Sequence, residues 1–359
     1  HMAIGTTVFP TSLAQASTWN EELMYKMGEA IALEARSQGA NIGYGPVLDI
    51  AREPRWSRME ETFGEDPVLT SNLGVAFMKG MQGYKQNDGK HLFSTLKHFA
   101  AYGIPEAGHN GARANVGMRQ LFSDYLPPFK KAVEAGVGTI MTSYNSIDGV
   151  PCTSNKYLLT DVLRDQWGFK GFVYSDLTSI EGIVGARVAK DNKEAAVLAL
   201  KAGLDMDLGG NAYGKNLQKA LEEGAITMDD LNRAVANVLR LKFRMGLFEN
   251  PYVSPEQAKQ VVRSKAHKEL AREVAREGIV LLKNEGVLPL KKNIGSIAVI
   301  GPNADKVQFG DYSPTKNNDY GVTVLQGLRA YLGDEVKVNY ALGCGITSLF
   351  TDSIASAVE

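Results

Sequence analysis

The sequence predicts an α/β fold built on a parallel β-sheet. Amphipathic helices alternate along the chain with short apolar strands, and the strands do not alternate apolar with polar residues. Such strands are typical of a parallel sheet that is covered on both faces. Five can be counted, whereas an eight-stranded barrel requires about three more. Either the sheet is open, or the first strands of a barrel lie before residue 1.

Each predicted helix has apolar residues at a helical spacing, and each predicted strand is a short apolar run. In the helix from Trp19 to Gln38, for example, Leu23, Met27 and Ile31 share one face, and Gly39 follows as a C-terminal cap. The further predicted helices are 67–84, 118–135, 155–166, 193–202, 211–223 and 228–245. The predicted strands are 41–50, 92–98, 138–144, 171–175 and 204–208.

A second domain is predicted after a proline-containing segment. Pro251 and Pro255 interrupt the periodicity, and a long helix is expected from Pro255 to Glu277, followed by strands at 278–284 and 296–300. We therefore predict a first domain over residues 1–247, a linker over 248–270 and a partial second domain over 271–359.

The composition excludes several classes of protein. The 359 residues include 39 basic and 40 acidic ones, for a net charge of −1, so nothing attracts nucleic acid or an anionic membrane by charge. No apolar run is long enough to cross a membrane. Cys152 and Cys344 lie far apart and form no metal-binding pair. Periplasmic, secreted and cytoplasmic locations all stay open, and so does a homo-oligomer.

Polar side chains follow the predicted strands where catalytic residues of α/β barrels lie. The leading candidate is Asp176, at the end of 171–175, and its alternative role is a helix N-cap. The other strand ends carry Asp49, Lys97 with His98, Tyr144, and Asp205 with Asp207. The loop after Asp49 adds Arg52, Arg55, Trp56 and Arg58. Cations beside carboxylates and an aromatic ring suit a neutral polyol, although each of these residues could instead be structural.

Five ordered motifs resemble those of glycoside hydrolase family 3, the exo-acting β-glucosidase and β-xylosidase group. They are GPVLDIAREPRWSRMEETFGEDP, LKHFAAYG, MTSYNSIDGVP, GFKGFVYSD and AREGIVLLKNEGVLPL. The resemblance implies a (β/α)8-type barrel followed by part of an α/β sandwich domain. It also implies hydrolysis of terminal β-linked sugars with retention of configuration. We expect no metal or organic cofactor, because two carboxylates suffice for this chemistry and the histidines show no metal-ligand spacing.

By position, the resemblance implies that Asp176 is the nucleophile that forms a covalent glycosyl-enzyme. Arg58, Lys97 and His98 match residues that bind hydroxyls of the terminal sugar, Tyr144 matches the tyrosine beside the nucleophile, and Met141 matches a residue that lines the pocket. The expected substrate is a β-linked oligosaccharide or glycoside, and the expected activity is that of a β-glucosidase.

Three departures from the family pattern bear on this expectation. Leu177 stands where the family usually has tryptophan. The first barrel strands are expected before residue 1, and the acid/base glutamate is expected beyond residue 359. The alternatives are a β-xylosidase or another exo-β-glycosidase, an inactive sugar-binding fragment, and a lyase or aldolase that uses Lys97 as a Schiff base.

Overall fold

The computed structural model describes residues 5–291, 293–310, 312–313, 321–347, 349, 351 and 353–359. The chain divides into two compact units, Gly5–Ile279 and Val280–Glu359. Residues 248–270, predicted as a linker, lie within the first unit. The domain boundaries drawn from the sequence stay a prediction.

The first unit is organised around a parallel sheet, as predicted. Its strands are β1 Ile42–Gly43, β2 Phe93–Phe99, β3 Thr139–Thr142, β4 Ser146–Ile147, β5 Val150–Pro151 and β6 Phe172–Tyr174. The sheet order is β1-β2-β3-β6, with every pair parallel. Strands β4 and β5 form a separate antiparallel pair. A bridge from Tyr174 to Met206 continues the parallel order at the far edge. The strands of the main sheet thus follow one another in chain order, and their carboxyl ends lie along one edge of the sheet.

Helices connect these strands and cover the sheet. Those of the first unit are α1 Ser12–Ala16, α2 Glu21–Ser37, α3 Pro67–Gln82, α4 Met118–Gln120, α5 Pro127–Glu134, α6 Glu181–Gly185, α7 Asn192–Ala202, α8 Ala212–Glu222, α9 Met228–Arg244, α10 Pro255–Val261 and α11 Lys265–Glu277. Leu121–Tyr125 and Tyr157–Gln166 are π-helical. Capping follows the sequence: Thr227 and Asp230 form a capping box at the start of α9.

Two glycines let α2 and α3 approach each other closely. A Cβ atom at Gly28 would lie 2.4 Å from the carbonyl oxygen of Phe77, and one at Gly80 would lie 2.1 Å from that of Tyr25. Neither distance is compatible with a side chain, so these positions require glycine. The packed pair α2 and α3 covers one side of the core, in which Met24, Met27 and other apolar residues are fully buried.

Several predicted elements are wrong in extent. The strand 41–50 is reduced to β1 and a bridge at Val47, because Pro46 lacks the N–H that a continuous ladder needs. The strand 204–208 is only the bridge at Met206. Helix 118–135 is divided into α4, a π-helical turn and α5, which begins at Pro127. The long helix 255–277 is divided into α10 and α11, with Ser264 as the N-cap of α11.

The second unit contains a smaller parallel pair of strands. It comprises β7 Ser296–Ile300, α12 Val324–Leu332, β8 Lys337–Ala341 and α13 Ile354–Val358. Strand β7 was predicted, whereas 278–284 is not a strand among the described residues. Thr323 caps α12 and donates to Asp305 at 2.8 Å. Across the described residues, no helix combines the length and apolarity needed to cross a membrane.

Candidate active site

The carboxyl edge of the main sheet brings together most of the residues selected from the sequence. Lys97 and His98 lie in β2, Tyr144 follows β3, and Asp176 follows β6. Arg58 reaches the same place from the loop after Asp49 and lies 3.0 Å from the His98 ring. Met141 lies on β3 opposite Tyr174, in a buried apolar cluster with Phe93 and Phe172.

Asp176 has one carboxylate oxygen held and the other unpaired. Oδ1 accepts a hydrogen bond from the backbone N–H of Leu177 at 2.7 Å. Oδ2 is buried, lies 3.5 Å from Nε2 of His98, and has no hydrogen-bond partner within the described part of the chain. Burial raises the pKa of Asp176, and the Leu177 N–H, Arg58, the Tyr144 hydroxyl and Lys97 oppose this effect. The helix-cap alternative is wrong, since Ile180 occupies the N-cap position of α6.

Arg58 is fixed on three sides. Its Nε and Nη2 donate to the two carboxylate oxygens of Glu61, at 2.6 and 3.0 Å. Nη1 lies 3.4 Å from the Tyr102 hydroxyl, and the guanidinium stands over the Tyr102 ring, 5.4 Å from its centroid. A bidentate pair of this kind sets both the position and the plane of the guanidinium.

His98 is neutral, and its neighbours select its tautomer. Arg58 can only donate, so the contact of Nη2 with Nε2 at 3.0 Å makes Nε2 an acceptor. The ring proton is therefore on Nδ1, which donates to Asp49 at 2.8 Å. Burial, with Arg58 and Lys97 nearby, holds the pKa of His98 well below its usual value. Burial also raises the pKa of Asp49 to about 8, although Arg58 and the His98 backbone N–H favour its ionised form.

Lys97 is the second cation of the site. Its side chain is almost completely buried, and burial lowers its pKa, an effect that the negative charges of Glu61, Asp176 and Asp49 oppose. Two basic side chains thus lie among three carboxyl groups, an arrangement of charged donors and acceptors that can bind hydroxyl groups.

Aromatic side chains line the pocket beside these charges. The Tyr144 hydroxyl donates to the backbone carbonyl of Leu177 at 3.0 Å, and the Tyr144 and Tyr102 rings lie 6.0 Å apart. Trp56 packs edge-on against Tyr102. Asn110 links two of these aromatic side chains, because its carbonyl oxygen accepts from Trp56 Nε1 at 2.9 Å and from the Tyr102 hydroxyl at 2.7 Å.

No role for Glu61, Tyr102 or Asn110 was predicted from the sequence. Glu61 lies three residues after Arg58, a spacing that places the two on one side of a helical turn and could have indicated their pairing. Asn110 lies in a loop remote in sequence from both of its partners, and no local pattern indicates these contacts.

Other candidates from the sequence have structural contacts instead. Asp205 accepts hydrogen bonds from Arg164, from the Val173 N–H and from Asn237. Asp207 Oδ2 accepts from the first backbone N–H groups of α8, while its Oδ1, like Oδ2 of Asp176, has no hydrogen-bond partner in the described part of the chain. Arg52 and Arg55 pair with Asp124 and Glu53 at the surface. Within the described ranges, no group of three or more His, Cys, Asp or Glu side chains could hold a metal ion.

Comparison with known proteins identifies the family. The model of the glycosyl hydrolase family 3 N-terminal domain matches residues 2–241, and that of the C-terminal domain matches residues 279–359. This chain belongs to glycosyl hydrolase family 3. The resemblance seen in the five motifs is thereby confirmed.

Similar family 3 proteins carry glycosidase names. A periplasmic β-glucosidase of Salmonella typhimurium is 42% identical over 95% of this chain and 46% of its own length, and a β-xylosidase of Formosa agariphila is 39% identical over 99% and 52%. The crystal structure of a β-glucosidase from Listeria innocua superposes with a TM-score of 0.92 at 34% identity, covering 99% of this chain and 49% of that one. The chain spans about half the length of these relatives.

Proposed function

We propose that this chain acts in a retaining exo-β-glycosidase, most specifically a β-glucosidase, with Asp176 as the nucleophile. The observation that carries the proposal is the buried, unpaired Oδ2 of Asp176 beside His98, in a pocket with Arg58 and Lys97. Oδ2 keeps lone pairs available for attack, and the nearby cations favour the ionised form of the carboxylate.

In the proposed reaction, Oδ2 attacks the anomeric carbon of the terminal sugar. The bond from that carbon to the glycosidic oxygen breaks, and the departing oxygen takes a proton from an acid to which we assign no residue. Water then attacks the anomeric carbon from the face that the departing oxygen left, gives a proton to the conjugate base of that acid, and breaks the bond to Asp176. The two inversions give net retention. Asp176 leaves the cycle ionised, as it entered.

Sugar recognition is assigned to the cations around the nucleophile. Arg58 and Lys97 provide charged donors to hydroxyl groups, and His98, whose Nε2 accepts from Arg58, holds that guanidinium beside the nucleophile. Tyr144 flanks the nucleophile and provides an aromatic face. The role proposed for Met141 is to shape the floor of the pocket from β3, where it is buried.

β-Glucosidase is placed first because relatives and superposed structures carry that name, including a structure of the Listeria innocua protein in complex with glucose. β-Xylosidase is the second candidate, because the Formosa agariphila relative and a superposed exo-β-xylosidase structure are also similar over nearly the whole chain.

The test is covalent trapping of the nucleophile. A 2-deoxy-2-fluoro-β-glucoside with a dinitrophenolate leaving group needs little acid assistance, so we expect mass spectrometry to find a glucosyl adduct on Asp176. Asp176→Asn should abolish the adduct, and Asp207→Asn, a carboxylate outside the pocket, should retain it. An adduct on another residue would overturn the assignment of Asp176.

Related experiments distinguish the alternative functions. Faster labelling by the corresponding 2-fluoroxyloside indicates a xylosidase. Glucose binding without any adduct indicates a sugar-binding fragment. Borohydride trapping of a carbonyl compound on Lys97 indicates the lyase or aldolase.

A further inference from the structure

Glu61 is a mostly buried carboxylate next to the site, and the proposed mechanism assigns it no role. It ends the short turn Met59–Glu61 that follows Arg58, and only 12% of its side chain is exposed. Both of its oxygens are engaged by Arg58, which is itself 10% exposed. This ion pair is therefore largely shielded from water, and an ion pair in such surroundings keeps its geometry better than one exposed to solvent.

The contacts of Glu61 determine which way Arg58 faces. By taking Nε and one side of Nη2, Glu61 turns the opposite side of the guanidinium toward His98 and Tyr102. The 3.0 Å contact of Arg58 with Nε2 then selects the His98 tautomer. One carboxylate therefore sets the orientation of Arg58 and, through it, the tautomer of His98.

Glu61 also acts on Lys97 through its charge. Burial favours the neutral amine, and Glu61 is the strongest of the nearby charges that oppose this. A neutral Lys97 has fewer and weaker donors for a hydroxyl group.

We propose that Glu61 is a positioning residue for sugar binding: it orients Arg58 toward His98 and Asp176 without itself contacting the sugar. This inference rests on the proposed function, since it assigns Arg58 and Lys97 to the hydroxyls of a bound glycoside. It adds a residue whose effect is on binding and on pH dependence rather than on bond cleavage.

Two variants separate the effects of shape and charge. Glu61→Gln keeps the length of the side chain but removes the charge and one acceptor, whereas Glu61→Asp keeps the charge and shortens the reach. Glu65→Gln, at an exposed position of the same loop, is the matched control. Inactivation by the 2-fluoroglucoside is followed against concentration and pH, and glucose binding is measured by calorimetry.

We expect Glu61→Gln to raise the half-saturating inactivator concentration and the Kd of glucose about tenfold, while the saturated inactivation rate changes less than about threefold. The alkaline limb of its pH profile should move to lower pH, because Lys97 loses charge more easily. Glu61→Asp should weaken binding but keep the alkaline limb of the wild type. Glu65→Gln should match the wild type throughout.

The inference is overturned if Glu61→Gln binds glucose within about twofold of the wild type and keeps its alkaline limb. A merely structural role would lower the unfolding midpoint and the active fraction, leaving Kd and pH profile unchanged. If the wild type binds glucose but forms no adduct, the proposed hydrolysis is wrong, while the role of Glu61 in sugar binding still stands. Absence of both adduct and glucose binding in the wild type would overturn both proposals.

Discussion

Substitution of Asp205 by asparagine should destabilise the first unit severely, although Asp205 contacts none of the candidate active-site residues. Oδ2 accepts from Arg164 at 2.5 Å and from the Val173 N–H at 2.8 Å, and Oδ1 accepts from Asn237 at 3.0 Å. The Asp205 side chain is completely buried. Both oxygens therefore face donors, and asparagine has only one acceptor oxygen to replace them.

The amide nitrogen of Asp205→Asn must face a donor in either orientation. A flip of Asn237 would not relieve the conflict without loss, because the carbonyl oxygen of Asn237 accepts from Arg240 at 2.9 Å. Arg164 would also lose its ionised partner while remaining mostly buried. Removing one member of a buried ion pair costs about 3–5 kcal/mol, and we expect a loss of that size.

Urea unfolding followed by tryptophan fluorescence measures this loss, because Trp167 directly follows the π-helix that carries Arg164. Asp207→Asn is the matched control: it accepts from the backbone of α8, and asparagine caps a helix about as well as aspartate, so the loss should stay below about 0.5 kcal/mol. A cost under about 1 kcal/mol for Asp205→Asn would refute the reasoning.

Three further predictions concern other features. Burial raises the pKa of Asp49 from 3.8 to about 8, so its contribution to stability is complete below pH 3.8 and lost as the pH rises through about 8. Urea unfolding at pH 6 and pH 9 should therefore show a smaller decline in stability for Asp49→Asn than for the wild type, and an equal decline would contradict this assignment. Leu177 is 54% exposed beside the nucleophile, and Leu177→Trp should lower the half-saturating concentration of an aryl 2-fluoroglucoside up to about tenfold, but not that of 2-fluoroglucosyl fluoride, which has no aryl ring. Equal effects on both reagents would rule out stacking. Glu34 accepts from Thr7, the Arg263 N–H and His267, and Glu34→Ala should cost about 3 kcal/mol and accelerate hydrogen exchange at 263–267. Unchanged exchange at these residues would contradict the prediction.

The sequence was informative where a local pattern matches a local structure. The periodicity of Leu23, Met27 and Ile31 predicted α2 within two residues at its start, and the apolar run 92–98 predicted β2 within one residue. The capping residue Thr227 was likewise recognised. These features depend on neighbours in the chain, which a single sequence displays.

Elements that depend on tertiary contacts were less predictable. The apolar run 204–208 reads as a strand, but hydrogen bonds to β6 are confined to the neighbourhood of Met206. The helix expected from 255 to 277 is interrupted at Arg263, whose φ is +54° and whose N–H bonds to Glu34, more than 200 residues earlier. A partner so distant leaves no trace in local periodicity.

The candidate site divides in the same way. Asp176, Lys97 and His98 could be selected because polar residues at strand ends of a parallel sheet share one edge. That His98 is neutral could not be foreseen, because its pKa depends on complete burial and on Arg58 and Lys97. The role of Asn110 depends on a loop conformation. Strand ends thus predict which residues meet, whereas tautomers and charges follow only from the assembled contacts.

The pocket is assembled from residues that lie between 49 and 176 on four successive strand–helix units, so it exists only in a chain whose main sheet is fully paired. A sugar seated there binds the native state and not partly opened ones. Glucose should accordingly slow amide exchange even in β1 and in the inner turns of α2, which it does not touch. The fraction of chains that bind glucose thereby measures the fraction in which the first unit is fully folded.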